Sequence, residues 1–158
     1  MRITKYRLEQ TDDFRPALMK EYSLNYKDAG VLDNPTAIYE MMKGVFHLTD
    51  AAEEYVYMIA YNTALRCLGI FEISHGTSNL AFFYERSIFC RALLVNATGM
   101  IIVHNHPSGN LTPSDEDNAV THRLREGGEL VGINLIDHII IAKDGYYSYA
   151  QEDRLSEV

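Results

Sequence analysis

Val103 to Asp117 reads V-H-N-H-P-S-G-N-L-T-P-S-D-E-D, and the rest of the chain is arranged around it. Just upstream, Gly99 to Val103 is apolar and β-branched, which predicts a buried strand. Strand side chains alternate between faces, so His104 and His106 point to the same side where that strand ends. Pro107 and Gly109 shape a turn. Thr112-Pro113 then predicts a helix start, with Thr as N-cap and Pro in the first helical position. On that helix Ser114 and Asp117 stand three apart and share a face. Two imidazoles on a strand end therefore face a carboxylate and a hydroxyl on a helix start. Two neutral nitrogens and one anionic oxygen suit a divalent ion such as Zn²⁺. The fourth position is left for water, as in a catalytic rather than a structural zinc site. The plainer alternative is a Ser-x-x-Asp cap beside surface histidines. All four residues gathered around one turn favour the metal.

Outward from this stretch, helix and strand patterns alternate. Asn34-Pro35 opens a helix to about His47, with Ile38, Met41, Met42, Val45 and Phe46 on an apolar stripe. Tyr55 to Tyr61 is strongly β-prone. Asn62-Thr63 makes a turn, and Leu65 to Ser74 returns as a hairpin partner. Leu80 to Phe83 reads as a further strand. A helix follows from Tyr84 or Glu85 to Ala97, with Ile88, Phe89, Ala92, Leu93, Val95 and Asn96 inward and Gly99 ending it. The motif helix is expected over Pro113 to Glu126, stopped by Gly127-Gly128. Leu130 to Ala142 is strand-like, and Lys143 to Tyr146 turns it back into a strand over Tyr146 to Ala150. In residues 1–33, Arg2 to Leu8 alternates enough for a short strand. Asp12-Asp13 and Asp28-Ala29-Gly30 read as turns, and the remainder is polar and mixed. The expected division is an N-terminal arm (1–33), one domain (34–152) and a short tail (153–158). The class is α/β, a mixed sheet with helices on both faces in three layers.

A chain of 158 residues with 47% hydrophobic and 23% charged content forms one domain with a real core. The net charge of −8 weighs against a nucleic-acid surface, which needs Lys and Arg on phosphates. Cys67 and Cys90 lie far apart and outside any C-x-x-C, so neither a disulfide framework nor a cysteine zinc site is indicated. A reducing cytoplasm fits. Met1 to Lys5 does not read as a signal peptide, and no apolar run approaches the ~20 residues of a membrane span.

The spacing His-x-His-x7-Ser-x2-Asp resembles the signature of the JAMM metalloproteases, the JAB1/MPN-type domains; Pro107 to Pro113 supply the seven spacer residues. The fuller wording of 104–117 resembles the RadC family, which reads HNHPSG-x-x-x-PS-x-x-D. I-S-H-G-T (73–77), R-A-L-L-V-N-A (91–97) and L-I-D-H-I-I-I-A (135–142) are similar to further family motifs. The match runs from about Glu54 to Tyr149. The resemblance implies a deaminase-like three-layer JAB1/MPN fold and a zinc-dependent peptidase or isopeptidase acting on a peptide or protein. His104, His106 and Asp117 would hold Zn²⁺, and Ser114 would support the oxyanion. The family's general base is a Glu at the start of the strand after the first helix. E-Y-V-Y-M-I-A-Y-N-T (54–63) fits its pattern E-x-F-x-V-L-x-L-D-T and selects Glu54, with Val56 where Phe is usual. Glu72 is the rival base, and Glu53 would point to the opposite face. His138 is expected in the core or behind the ligands rather than as a ligand. Asp137 is a candidate to orient a ligand histidine, and Asn105 to tie the strand to its loop. Longer RadC relatives carry an N-terminal helix-hairpin-helix domain, and this chain reads as a short form without it. The alternatives are a DNA repair or recombination accessory protein and an inert metal-binding module. A nucleobase deaminase is excluded by the missing His-x-Glu and Pro-Cys-x-x-Cys pair.

Overall fold

In chain order the secondary structure is β1 (Arg2–Gln10), β2 (Pro16–Asn25), α1 (Pro35–Phe46), β3 (Tyr55–Tyr61), β4 (Cys67–His75), α2 (Glu85–Leu94), β5 (Gly99–Asn105), α3 (Asp115–Val131), β6 (Asn134–Ala142) and β7 (Gly145–Ser148). The structure is a computed structural model, and residues 2–26, 32, 34–77 and 83–156 are described. The strands form one sheet in the order β2-β1-β4-β3-β5-β6-β7. β1 runs parallel to β4 and β5 parallel to β6; the other neighbours are antiparallel. Among the described residues no helix is long and apolar enough to cross a membrane.

Period-two alternation sends each central strand into two cores. From β3, Tyr57, Ile59 and Tyr61 join one core, while Val56, Met58 and Ala60 join the other. The first core is closed by Ile38, Tyr39, Met41 and Met42 of α1. The second is closed by Ile88 and Ala92 of α2 and by Val120 and Leu124 of α3. Helices therefore cover both faces of a mixed sheet, an α/β fold consistent with the JAB/MPN domain. Each fully buried large aliphatic side chain contributes about 1.5–3 kcal/mol, so both layers are needed to hold the sheet. On β5 the same alternation puts Met100, Ile102 and His104 toward α2 and α3, and Ile101, Val103 and Asn105 toward α1.

The structure departs from the sequence expectations mainly at element ends. The polar stretch after Asp13 holds β2, a full antiparallel partner of β1 that the side-chain pattern did not announce. α3 begins two residues later than Thr112-Pro113 suggests, because Ser114 is the N-cap and Asp117 completes a capping box with it. It also continues through Gly127-Gly128 to Val131 and ends at Gly132 in the left-handed region (φ 73°). Gly128 is there for space: a Cβ would lie 2.2 Å from the Ile133 carbonyl oxygen. Leu130 and Val131 therefore belong to the helix, and β6 starts only at Asn134. α2 stops at Leu94, with Leu93 and Leu94 exposed, and Gly99 opens β5 instead of closing the helix. β4 runs from Cys67 to His75, and β7 ends at Ser148. The turn expected at Asp28-Ala29-Gly30 and most of the strand expected over Leu80 to Phe83 lie outside the described residues.

Candidate metal centre

β5 delivers His104 at its end, and the chain continues straight enough for the His106 N–H to donate to the Ile141 carbonyl at 2.8 Å. The turn then folds back into α3. Ser114 Oγ accepts from the Asp117 N–H at 3.1 Å, and Asp117 Oδ2 accepts from the Ser114 N–H at 2.8 Å. This reciprocal cap satisfies helix N–H groups that would otherwise be orphaned, and it holds the Asp117 carboxylate against the strand end. The cap and the candidate metal site are one structure, not alternatives.

His104, His106 and Asp117 converge so that one ligand atom from each lies within 4.8 Å of the others. His104 Nε2 is 3.0 Å from His106 Nε2 and 3.1 Å from Asp117 Oδ1; His106 Nε2 is 3.5 Å from Asp117 Oδ2. The second nitrogen of each ring is already engaged. The His106 Nδ1–H donates to the Asn110 carbonyl at 2.7 Å, and His104 Nδ1 lies 2.9 Å from His138 Nε2. Both Nε2 atoms are thereby aimed at the carboxylate. Ser114 Oγ–H donates to Asp117 Oδ2 at 2.7 Å, leaving Oδ1 toward His104.

Burial and mutual pairing shift these groups in different directions. Burial alone would push the Asp117 carboxyl up, but the two imidazoles and the Ser114 hydroxyl outweigh it and hold it well below the usual carboxylate range. Burial pushes His104 below the usual imidazole value, against the pull of Asp117. His106 is also desolvated, but Asp117 and the Asn110 carbonyl outweigh that and leave it raised. Among the described residues Asp117 pairs with these two imidazoles and with no Lys or Arg. Two imidazole nitrogens and one ionised oxygen, each oriented by a second hydrogen bond, match the donor set of a three-ligand zinc site. The residues present fit such an ion.

Glu54 stands just before β3, and its backbone is pinned on both sides. Its N–H donates to the Thr77 carbonyl and its carbonyl accepts from the Gly76 N–H, both at 2.8 Å. Asn105 clamps the flanking peptides: Oδ1 accepts from the Tyr55 N–H at 2.8 Å, and Nδ2 donates to the Glu53 carbonyl at 2.9 Å. The buried Asn105 thus ties β5 to the Glu54 segment. Desolvation raises the Glu54 carboxyl above its ordinary value; His106 pulls it back and Asp117 adds to the rise, so the side chain senses both ligands. Glu53 pairs with His75 instead. Glu72 is on the α1 side of the sheet, held by Lys5 at 3.0 Å and by the Tyr57 hydroxyl at 3.3 Å. Its separation from His104 follows from register, since it pairs with Tyr57 while His104 pairs with Val56.

His138 is fully buried behind His104. Asp137 does not reach a histidine ring: it accepts from Ser148 Oγ at 2.6 Å, the Ala150 N–H at 3.0 Å and the His138 N–H at 2.7 Å. Burial still leaves its carboxyl raised. Three contributors had no signal in the motif. Thr121 lies 2.6 Å from His138 Nδ1, Phe83 packs edge-on to His104 at 5.2 Å, and Asn110 orients His106 by its backbone. Thr121 was findable only as the position one turn after Asp117 on the same helix face. A cavity of about 420 Å³ reaches the centre at His106 alone and extends along the α1 side, where Leu48, Asn105, Ile141 and Lys143 line it.

A family model for the RadC-like JAB domain matches residues 32–155. A UPF0758 protein of Thermotoga maritima is 38% identical over 124 residues, 78% of this chain and 54% of that protein. One from Pelobacter propionicus is 39% identical over 106 residues, 67% of this chain and 46% of its own length. One from Clostridium novyi is 42% identical over 103 residues, 65% and 45% of the two chains. The chain spans about half the length of the curated relatives it matches.

Proposed function

Because the chain belongs to the RadC-like JAB domain family, we propose that it is a zinc-dependent peptidase or isopeptidase that hydrolyses an amide bond in a peptide or protein. One observation carries this reading: His104, His106 and Asp117 bring three ligand atoms together at a strand end. Zinc bound there would supply Lewis acidity, lowering the pKa of its water towards ~7 and polarising the substrate carbonyl. His104 Nε2, His106 Nε2 and an Asp117 oxygen would hold it. Glu54, raised by desolvation, takes a proton from the attacking water and returns it to the departing nitrogen. The Ser114 hydroxyl, which now donates to Asp117 Oδ2, turns to donate to the oxygen that gains charge. Glu72 has no part in this, because Lys5 and Tyr57 engage it across the sheet.

The test is zinc content by elemental analysis together with turnover of a mixed peptide library. The expected result is about one zinc per chain, lost in His106→Ala, with cleavage abolished in Glu54→Gln while zinc is kept. Zinc without cleavage of any peptide or isopeptide-linked substrate would move the chain to the inert metal-binding reading. No zinc after supplementation would end the proposal.

A further inference from the structure

The neighbours of His138 form a closed chain that the motif itself does not contain. His138 lies in β6 opposite Ile102 and is 0% exposed. Tyr149 stacks on its ring at 5.2 Å and 9°, and Phe83 meets it edge-on at 5.5 Å. Each ring nitrogen has one partner: Nε2 is 2.9 Å from His104 Nδ1, and Nδ1 is 2.6 Å from Thr121 Oγ1. Thr121 Oγ1 is in turn 2.6 Å from the Asp117 carbonyl, one helical turn back. The chain starts on one candidate ligand and ends on the backbone of another.

We propose that His138 and Thr121 are positioning residues that lock the His104 ring, through a hydrogen-bond chain of one direction, with its Nε2 lone pair toward the metal. The inference rests on the metal reading of His104, His106 and Asp117. A ring that ligates through Nε2 carries its proton on Nδ1, so His104 donates to His138 Nε2. A neutral imidazole that accepts at Nε2 carries its proton on Nδ1, so His138 donates to Thr121 Oγ1. The Thr121 hydroxyl has one proton, which goes to the Asp117 carbonyl. Running the chain the other way would place a proton on His104 Nε2, where the lone pair is required. Ligand histidines commonly donate to a carboxylate or a carbonyl. Here a neutral imidazole takes that place, and the neighbouring carboxylate, Asp137, is engaged by Ser148 and two backbone N–H groups. No carboxylate then adds charge behind His104, and its orientation is set by a residue that packing immobilises.

The experiment uses the zinc-loaded protein labelled with ¹⁵N at histidine, read by NMR for tautomers. His104 and His138 should both appear as Nδ1–H forms. In parallel, zinc affinity is measured by chelator competition on variants. His138→Phe keeps a ring in the pocket but removes both nitrogens, and should weaken zinc about 10- to 100-fold. His138→Gln, whose carbonyl oxygen can accept in place of Nε2, should recover most of that loss. Thr121→Val should lose less than His138→Phe. A His138 proton found on Nε2 overturns the inference, as does a folded His138→Phe that binds zinc like wild type. Where His138→Phe does not fold, the wild-type tautomers decide. Wild type that takes up no zinc overturns the metal reading itself, a different result from either.

Discussion

Two polar clusters sit on opposite faces of the same sheet, and both contain a glutamate that sequence alone could assign to catalysis. On the α1 side, Glu72 and Glu21 bracket Lys5 at 3.0 and 3.3 Å, and the Tyr57 hydroxyl donates to Glu72. On the other side, His104, His106 and Asp117 turn possible ligand atoms toward one another, and Glu54 stands nearby under their influence. The first cluster carries its own cation within the fold. The second collects donors whose natural complement is a cation from outside. The first cluster is already compensated; the second could hold a metal ion.

The largest effect that tests this contrast is metal-dependent stability. Zinc at about 100 times its Kd adds about 2.7 kcal/mol, which for a chain of this size raises Tm by roughly 5–11 °C. His106→Ala should abolish that shift, and Lys5→Gln should leave it intact. A zinc-induced shift that survives His106→Ala in a thermal melt would show that the ion binds elsewhere. Next in size is the pair of glutamates. Glu54→Gln should lower peptide turnover by about 10²–10⁴ with zinc retained. Glu72→Gln should change turnover by less than about two-fold and cost under about 1 kcal/mol, because its ion pair is partly exposed and screened. Kinetics in which Glu72→Gln is the inactive variant would reverse the assignment.

The sequence made one side of this comparison far more legible than the other. His104, His106, Ser114 and Asp117 lie within one stretch, where strand alternation and helix spacing place them by local rules. Asn105 was legible as pointing away from both histidines, but its partners were not, since they are the peptides of Glu53 and Tyr55 at the start of β3 and not its own loop. The Lys5 cluster joins residues 16 and 67 positions apart and depends on the order β2-β1-β4, so no local pattern announces it. β2 was missed because its side chains do not alternate cleanly. It is an edge strand with exposed Lys20, Glu21 and Tyr22, paired along its length with β1, and its Leu18 and Leu24 pack against different cores instead of forming one apolar face. The reach of α3 past Gly127-Gly128 was hidden because Gly128 answers to the Ile133 carbonyl, a tertiary contact, rather than to helix termination. His138 could be placed behind the ligands, but its partner Thr121 could not, because that contact crosses from β6 to α3.

A smaller effect concerns how Glu54 is held. Asn105 makes two hydrogen bonds to the peptides on either side of Glu54, at 2.8 and 2.9 Å, and is buried. Asn105→Ala leaves the Tyr55 N–H and the Glu53 carbonyl without those partners, at a cost of about 1–3 kcal/mol. Because the clamp fixes Glu54 and not the ligands, turnover should fall by about ten-fold while zinc content stays near one per chain. Turnover that tracks zinc loss instead would mean the clamp supports β5 and not the base.

The smallest effect separates the two faces by pH. Burial pulls the Lys5 ammonium down, but Glu72 and Glu21 outweigh it, so its folded pKa stands above 10.5. A cation with a raised folded pKa contributes stability that is complete below its unfolded value and is lost as pH rises through the folded value. Asp117 works in the opposite sense. Its folded pKa lies far below 3.8, so its contribution is complete above that value and disappears as pH falls into acid. The contribution of the Lys5 ammonium should therefore be lost only in strong alkali and that of the Asp117 carboxylate only in acid. Thermal melts of metal-free wild type and Lys5→Gln check the first half. Their Tm difference should be no more than about 4 °C near pH 8 and should close as pH climbs past 10.5. A difference that persists unchanged above the folded pKa would show that Lys5 acts through its buried stem rather than its charge, leaving Glu72 and Glu21 without the cation the comparison assigns them.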